Sequence, residues 1–201
     1  MKKCSFCKND LKNKILDLGY SPLANAYLHN KKDIKFEKTY PLQLFLCEKC
    51  KLVQTGKKLS QKIIFKEDYS YLSSTSKSWV EHCRKYFYKI KKKLRLNKNS
   101  FVVEIASNDG YMLDFFNKAG IPNLGIEPTL STSIIAKKKG LKIINDFFTL
   151  EVAKRISKKI KKIDLIIANN VIAHIPNLND FVKGISFLAN KYQSIVTVEF
   201  Q

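Results

Sequence analysis

Two spacings of apolar residues organise the chain. Between Ser76 and Leu94, Trp79, Cys83, Tyr86, Phe87, Ile90 and Leu94 recur at helical intervals, while Lys85, Lys89 and Lys92 fall off that face. The pattern predicts an amphipathic helix, with Cys83 a small buried hydrophobe rather than a ligand. From Phe101 onward, short apolar runs alternate with helical segments. Strands are predicted at 101–106, 123–127, 141–145, 164–169 and 194–200, and helices at 111–119, 130–139, 149–160 and 178–189. Runs such as DLIIAN and SIVTVEF are continuously apolar, as in a parallel sheet covered on both faces. The expected fold class is therefore α/β: a Rossmann-like sheet of five strands joined by right-handed crossovers.

The first 60 residues have a different character. Helical periodicity is scarce, Gly19, Pro22 and Pro41 punctuate the segment, and ILDL and LQLFL are the apolar runs that could form strands. Cys4-x-x-Cys7 and Cys47-x-x-Cys50 flank them. Such a module has too little core to be stable alone and would benefit from a metal staple. Each CxxC puts two thiolates within reach of one ion, and two pairs complete a tetrahedral Zn²⁺ shell of structural type. Free thiols or a redox CxxC are the alternatives. The predicted organisation is a zinc-binding domain at 1–60, a connector and amphipathic helix at 61–98, and a cofactor-binding Rossmann-like domain at 99–201.

Charge changes the picture less than it first suggests. The chain of 201 residues carries a formal net charge of +20, which invites a nucleic-acid reading. Only Arg84, Arg95 and Arg155 are arginines, however, and specific nucleic-acid sites favour the arginine fork. The lysines scatter along helix surfaces, as in Lys89–Lys93 and Lys158–Lys162, so a solvated face is the better reading and no specific nucleic acid is expected. No apolar stretch is long enough to span a bilayer and no signal-peptide core follows the first residues. The expectation is a cytoplasmic protein with no membrane partner.

The segment Phe101-Val-Val-Glu-Ile-Ala-Ser-Asn-Asp-Gly110 carries the candidate chemistry. A buried strand runs into a polar, glycine-terminated turn and a helix, and the next strand ends in Glu127. Strand, turn, helix, strand, acid is an order that holds an adenosine, with amides for the charged tail and a carboxylate for the ribose hydroxyls. Ala106 and Asn108 stand where a GxGxxG would need glycine, and no Walker lysine is present. The pattern is nearer to an S-adenosylmethionine site than to a dinucleotide or ATP site, the alternative being an ordinary core strand with a polar turn. After the third strand, Asp146 could take the adenine amino group and Phe147 could stack. Asn169 and Asn170 close the fourth strand where cofactor and substrate would meet. His174 then follows as a general acid/base or a substrate-orienting group.

Several blocks together resemble a known family: CSFC, LDLGYSPLANAYL, YPLQLFLCEKCKLVQ, DYSYLSSTSKSWVEH, VVEIASNDGYML, GIEPT and IIANNVIAHIPNLNDFV. They are similar to the S-adenosylmethionine-dependent sugar C-methyltransferases that carry an N-terminal zinc-binding domain and act on nucleotide-linked keto-deoxysugars. The resemblance covers nearly the whole chain and rests most on the SNDGYxL and ANNVxAHxPxLNDF blocks. It implies Zn²⁺ on Cys4, Cys7, Cys47 and Cys50, and cofactor contacts around Glu104, Ser107, Asn108, Asp109, Gly110, Glu127 and Asn169. It also implies a sugar pocket lined by Tyr71 (or Tyr69) and His174, beside the substrate-facing Asn170, with His174 and Tyr71 as the catalytic side chains present. In the family reaction a base removes the proton beside a keto group, and the carbanion takes the methyl group.

The chain departs from the family twice. Ala106 replaces a usual glycine, so a methyl group points where the backbone approaches the cofactor. The family's Glu-His-Tyr-type motif and its C-terminal domain would fall beyond Gln201, leaving the edge after 194–200 exposed. The expectation is a C-terminally truncated enzyme, weak or inactive alone, or one completed by a separate polypeptide. A non-catalytic zinc- and cofactor-binding remnant and, on charge alone, a zinc-ribbon RNA methyltransferase are the other readings.

Overall fold

A computed structural model describes residues 2–56, 59–65, 69 and 71–200. The described residues divide into two compact units. One comprises the chain up to Phe65 together with Pro176–Asn179, and the other runs to Ile175 and resumes at Asp180.

The first unit is built on a three-stranded antiparallel sheet in the order β1 (Asn13–Ser21), β2 (Tyr40–Leu46), β3 (Val53–Thr55). The run ILDL lies in β1 and LQLFL in β2, as their apolar character suggested. The β1–β2 register slips between Lys14 and Leu16 and again between Asp17 and Tyr20. A 3-10 turn, Lys31–Phe36, lies in the connection, and a single-turn helix, α1 (Gln61–Ile64), follows β3. The core is small: Cys4, Leu11, Phe45 and Cys47 are buried, with Cys7, Cys50 and Leu52 packed against them.

The second unit opens with α2 (Lys77–Leu94). Ser76 caps it by accepting the Trp79 N–H, and Arg95 ends it in the left-handed region. Then come β4 (Val102–Ile105), α3 (Leu113–Lys118), β5 (Asn123–Ile126), α4 (Leu130–Lys138), β6 (Ile143–Ile144), α5 (Leu150–Ser157), β7 (Leu165–Asn169), α6 (Leu178–Tyr192) and β8 (Ile195–Glu199). The sheet is parallel throughout, in the order β6-β5-β4-β7-β8. The α/β class and the strand–helix alternation match the sequence pattern.

Alternate residues of the central strands serve opposite faces. Val102, Leu165 and Ile167 pack with Cys83, Phe87 and Ile90 of α2 and Phe116 of α3. Val103, Ile105, Ile166 and Ala168 pack with Val152 and Ile156 of α5 and Phe181 and Leu188 of α6. Cys83 is fully buried and burial pushes its thiol up to about 12, so it is inert. Among the described residues no helix is long and apolar enough to cross a membrane.

Element ends differ from the pattern for local reasons. Strand β6 pairs only at Ile143 and Ile144, because Gly140 and Leu141 return their N–H groups to the end of α4. Helix α3 begins at Leu113 rather than 111, because Ser107–Gly110 forms a tight turn closed by the Gly110 N–H on the Ser107 carbonyl.

Candidate functional site

In the first unit the four cysteine sulfurs all lie within 4.8 Å of one another. Cys4 Sγ is 3.6 Å from Cys50 Sγ, and Cys7 Sγ is 3.5 Å from Cys47 Sγ. Four sulfurs at about 2.3 Å from a tetrahedral Zn²⁺ would stand about 3.8 Å apart, so the set fits that ion. Both loops have the same build. The Lys8 N–H returns to the Cys4 carbonyl at 3.2 Å and the Lys51 N–H to the Cys47 carbonyl at 2.8 Å, with both lysines in the left-handed region. The repeat CSFCK and CEKCK is the sequence trace of that geometry.

Gln54 of β3 braces the cluster. Its Oε1 accepts from the Ser5 N–H and the Ser5 hydroxyl, and its Nε2 donates to Cys4 Sγ at 3.2 Å. Burial opposes ionisation of Cys4, but the Gln54 amide and the N–H groups of Cys7 and Phe6 outweigh it and bring the thiol down to about 6. At Cys50 the Leu52 N–H acts in the same downward sense, yet burial and the three other thiols push it up to about 12. Four thiolates cannot share so small a space without a cation between them.

In the second unit, parallel pairing brings the carboxyl ends of β4, β5, β6 and β7 to one edge. Past β4, Ala106 has φ 58° and Asn108 φ 49°, both left-handed, and Gly110 has φ 76°. Gly110 is needed there, since a Cβ would collide with Leu141 and press on Ala136. Glu127, one residue past β5, is 4% exposed. Its Oε2 accepts the Asn108 N–H at 2.8 Å and its Oε1 the Thr129 N–H at 2.9 Å. The acid expected to face a ribose therefore also holds the β4 turn in shape. Asn145 ties β6 in by donating to the Glu127 and Pro128 carbonyls.

Around this turn are buried polar atoms with no partner: Glu104 Oε2, Ser107 Oγ, Asp109 Oδ1, Thr129 Oγ1 and Asn169 Nδ2. Glu104 is 1% exposed. Burial first, then the Glu127 and Asp109 carboxylates, raise its pKa well above the usual range, against the pull of the Leu113 N–H. Burial also raises Glu127, with the Thr129 and Asn108 N–H groups opposing. The other Asp109 oxygen meets Lys139 Nζ at 3.2 Å, and the same ammonium donates to the Asp109 carbonyl at 2.8 Å. Unpaired buried polar atoms each cost about 1–3 kcal/mol, so a cluster of them marks where a polar ligand belongs.

The aromatic segment reaches this edge. Asn108 Oδ1 accepts the Ser73 N–H at 2.9 Å, its Nδ2 donates to the Tyr71 carbonyl, and Ser131 Oγ donates to the Tyr69 carbonyl. Tyr71 is left 46% exposed beside the turn. Asn170 is left-handed at φ 50°. His174 sits on an exposed 3-10 turn, Ile172–His174, after β7. Asp146 and Phe147 follow β6, but the Asp146 carboxylate is engaged by Arg155 of α5 and by the Phe147 N–H. That engagement weakens the case for Asp146 as an adenine acceptor. A groove of 540 Å³ opens at the opposite, amino edge, lined by Phe101, Pro122, Leu124, Ile156 and several lysines. It holds none of the turn and strand-end residues described above, so unsatisfied chemistry rather than volume marks the candidate site.

Residues 79–199 match the family model of a methyltransferase domain, and residues 4–65 match that of a zinc binding domain. The chain belongs to the methyltransferase family. The methyltransferase-domain match falls in its second unit and the zinc-binding-domain match in its first. The C-methyltransferase NovU of Streptomyces niveus is 28% identical over 186 residues, which is 92% of this chain and 44% of that protein. The chain thus spans less than half the length of this curated relative. A methyltransferase from Anabaena variabilis aligns over 66% of this chain and 62% of its own at 16% identity, with a TM-score of 0.43. The sugar N-methyltransferase KedS8 of a Streptoalloteichus species aligns over 77% and 59% at 9% identity, also at 0.43. Likenesses so distant carry no weight for site or substrate.

Gln54, Lys139 and Asn145 act in these sites without a motif that singles them out. The repeated lysine after each CxxC was the one visible signal.

Proposed function

We propose that the chain is the zinc- and cofactor-binding part of a C-methyltransferase acting on a carbon beside a keto group of a nucleotide-linked deoxysugar. The observation that carries the cofactor site is the cluster of unpartnered buried polar atoms at the carboxyl edge of the sheet: Glu104 Oε2, Ser107 Oγ, Asp109 Oδ1, Thr129 Oγ1 and Asn169 Nδ2. Residues 104–110, Glu127 and Asn169 would hold S-adenosylmethionine there. When bound, it supplies an electrophilic methyl group on a sulfonium centre.

The other roles belong to the chain's own side chains. The turn at Ala106–Gly110 would bring its backbone to the ligand, and Glu127, which fixes that turn, would take the ribose side. Tyr71, tethered through Asn108, would face the substrate with Asn170, His174 and, less directly, Tyr69. The substrate class rests on the resemblance of the sequence blocks and on the relative NovU, a C-methyltransferase. Acidity beside a carbonyl makes carbon a workable nucleophile, and donors near the carbonyl oxygen lower the barrier further.

Calorimetry of zinc-loaded protein with S-adenosylmethionine and its demethylated product tests the cofactor site. Binding at one site, weakened in Ser107→Val and Asn169→Ala, is expected; no binding of either ligand overturns the reading. Mass spectrometry of a nucleotide-linked keto-deoxysugar incubated with the protein then tests the substrate class. Cofactor binding without transfer would favour a non-catalytic role for this chain.

A further inference from the structure

The turn after β4 uses its three polar side chains differently. Ser107 Oγ and Asp109 Oδ1 are buried without a partner, whereas the Asn108 amide between them is engaged at both ends. Its Oδ1 accepts the Ser73 N–H at 2.9 Å and its Nδ2 donates to the Tyr71 carbonyl at 3.3 Å. A backbone N–H only donates and a carbonyl only accepts, so one orientation of the amide serves both and the flipped one serves neither. Asn108 also stands at φ 49°, in the left-handed region that asparagine tolerates better than most residues with a Cβ. Its own N–H goes to Glu127 Oε2 at 2.8 Å.

The aromatic segment has a second anchor with the same origin. The Tyr69 carbonyl accepts from Ser131 Oγ at 3.2 Å, and Ser131 lies in the first turn of α4. The Thr129 N–H, at the head of that helix, is held by Glu127 Oε1 at 2.9 Å. One buried carboxylate thus fixes, through its two oxygens, both elements on which the segment hangs. Ser73 is buried by this arrangement, while Tyr71 keeps its exposed place beside the turn.

We propose that Asn108 is a positioning residue for the substrate-facing Tyr71 rather than a cofactor ligand, while Ser107 and Asp109 on either side of it serve the cofactor. This rests on the functional reading above and narrows it at one side chain. A ligand that drew the Asn108 amide away would leave the Ser73 N–H or the Tyr71 carbonyl without its partner. Exchanging one hydrogen bond for another gains little, whereas Ser107 Oγ and Asp109 Oδ1 gain a partner where they have none.

Two variants cut the tether from opposite ends. Asn108→Gly removes the amide and keeps the left-handed turn without steric cost. Ser73→Pro removes the N–H and leaves Asn108 in place. Ser73 opens a 3-10 turn after the extended Leu72, a position that suits proline. The zinc-loaded full chain, with fluorotyrosine at position 71, is followed by fluorine NMR, by hydrogen exchange at the Ser73 amide and by calorimetry with S-adenosylhomocysteine. In Asn108→Gly the Ser73 amide should exchange about tenfold faster or more, as expected for loss of one hydrogen bond. Both variants should shift the Tyr71 resonance in the same direction. Their affinity for S-adenosylhomocysteine should stay within about threefold of wild type, whereas Ser107→Val should lower it about tenfold and leave the Tyr71 resonance unmoved.

A tenfold loss of affinity in Asn108→Gly alone, on the order of one hydrogen bond, would make its amide a cofactor ligand. Equal losses in Asn108→Gly and Ser73→Pro would mean that the segment itself holds the cofactor. Either result overturns the proposal, as does wild-type exchange at Ser73 with an unmoved Tyr71 resonance in Asn108→Gly. Failure of wild type to bind the cofactor sinks the functional reading instead, and the exchange and fluorine readings then still decide whether Asn108 holds the segment.

Discussion

The first unit buries Cys4, Leu11, Phe45 and Cys47 and little else, and leaves Ile15, Leu18, Tyr20 and Phe36 largely exposed. The second buries branched aliphatic and aromatic side chains on both faces of a parallel sheet. Each also crowds groups that ionise to anions: four thiols in one, and Glu104, Asp109 and Glu127 in the other. The thiols sit at zinc spacing, so a cation can both neutralise them and close the fold. Among the described residues these carboxylates meet Lys139, backbone N–H groups and threonine hydroxyls, and their crowding is borne by the apolar core around them. A small core is thus organised by its ligand, whereas a large core can afford a strained site that waits for one.

The sharpest break in this comparison is Cys47→Ser. Apparent zinc affinities in small modules are on the order of 10 kcal/mol and are coupled to folding. The variant should lose its metal, and residues up to Phe65 should become protease-sensitive, while the parallel sheet keeps its helical signal. Metal analysis and limited proteolysis check this. Full zinc content in a protease-resistant variant would show that the apolar residues suffice.

Within the sheet unit the largest effect should come from Glu127→Ala. The change strips partners from the Asn108 and Thr129 N–H groups and from the ligand. Binding of S-adenosylmethionine should weaken by about 1–3 kcal/mol. Calorimetry reads it, and unchanged affinity would remove Glu127 from the site.

A smaller effect, with a distinctive pH dependence, is expected at Glu104. Its folded pKa is raised, so between the ordinary carboxylate value of 4.5 and that raised value the folded state binds more protons than the unfolded. Stability from this group is therefore intact below the ordinary value and declines as pH rises through the window. Glu104→Gln cannot ionise and should lack the decline. In cofactor-free protein, its Tm advantage over wild type should grow with pH. A constant difference would mean that Glu104 ionises in the folded protein as easily as in water.

Much of this architecture is legible along the chain, because strands such as Val102–Ile105 and Leu165–Asn169 announce themselves by continuous apolarity and α2 by its helical stripe. The paired CxxC spacing points to the metal cluster for the same reason: the chemistry is local. What stayed hidden depends on partners far apart in sequence. Gln54 meets Cys4 and Ser5, Asn108 reaches back to Tyr71 and Ser73, and His82 finds Glu199 across 117 positions. No periodicity encodes those contacts, since tertiary packing alone decides which polar side chains meet. The hold of Glu127 on the turn was hidden likewise, because its backbone partners depend on the left-handed turn.

That turn supplies the last and smallest prediction. Ala106 holds φ 58°, a conformation that costs a residue with a Cβ about 1 kcal/mol and glycine almost nothing. Ala106→Gly removes that strain from the folded state but adds freedom to the unfolded chain, and the two effects oppose each other. The net change in Tm should be small. Cofactor affinity should be kept or improved, because the methyl group leaves the approach to the backbone while the Glu127 bond to Asn108 still fixes the loop. A marked loss of affinity would show that the methyl group itself holds the loop in shape. The carboxylate-braced turn would then depend on side-chain packing, as the zinc module depends on its ligands, and the contrast between the units would narrow.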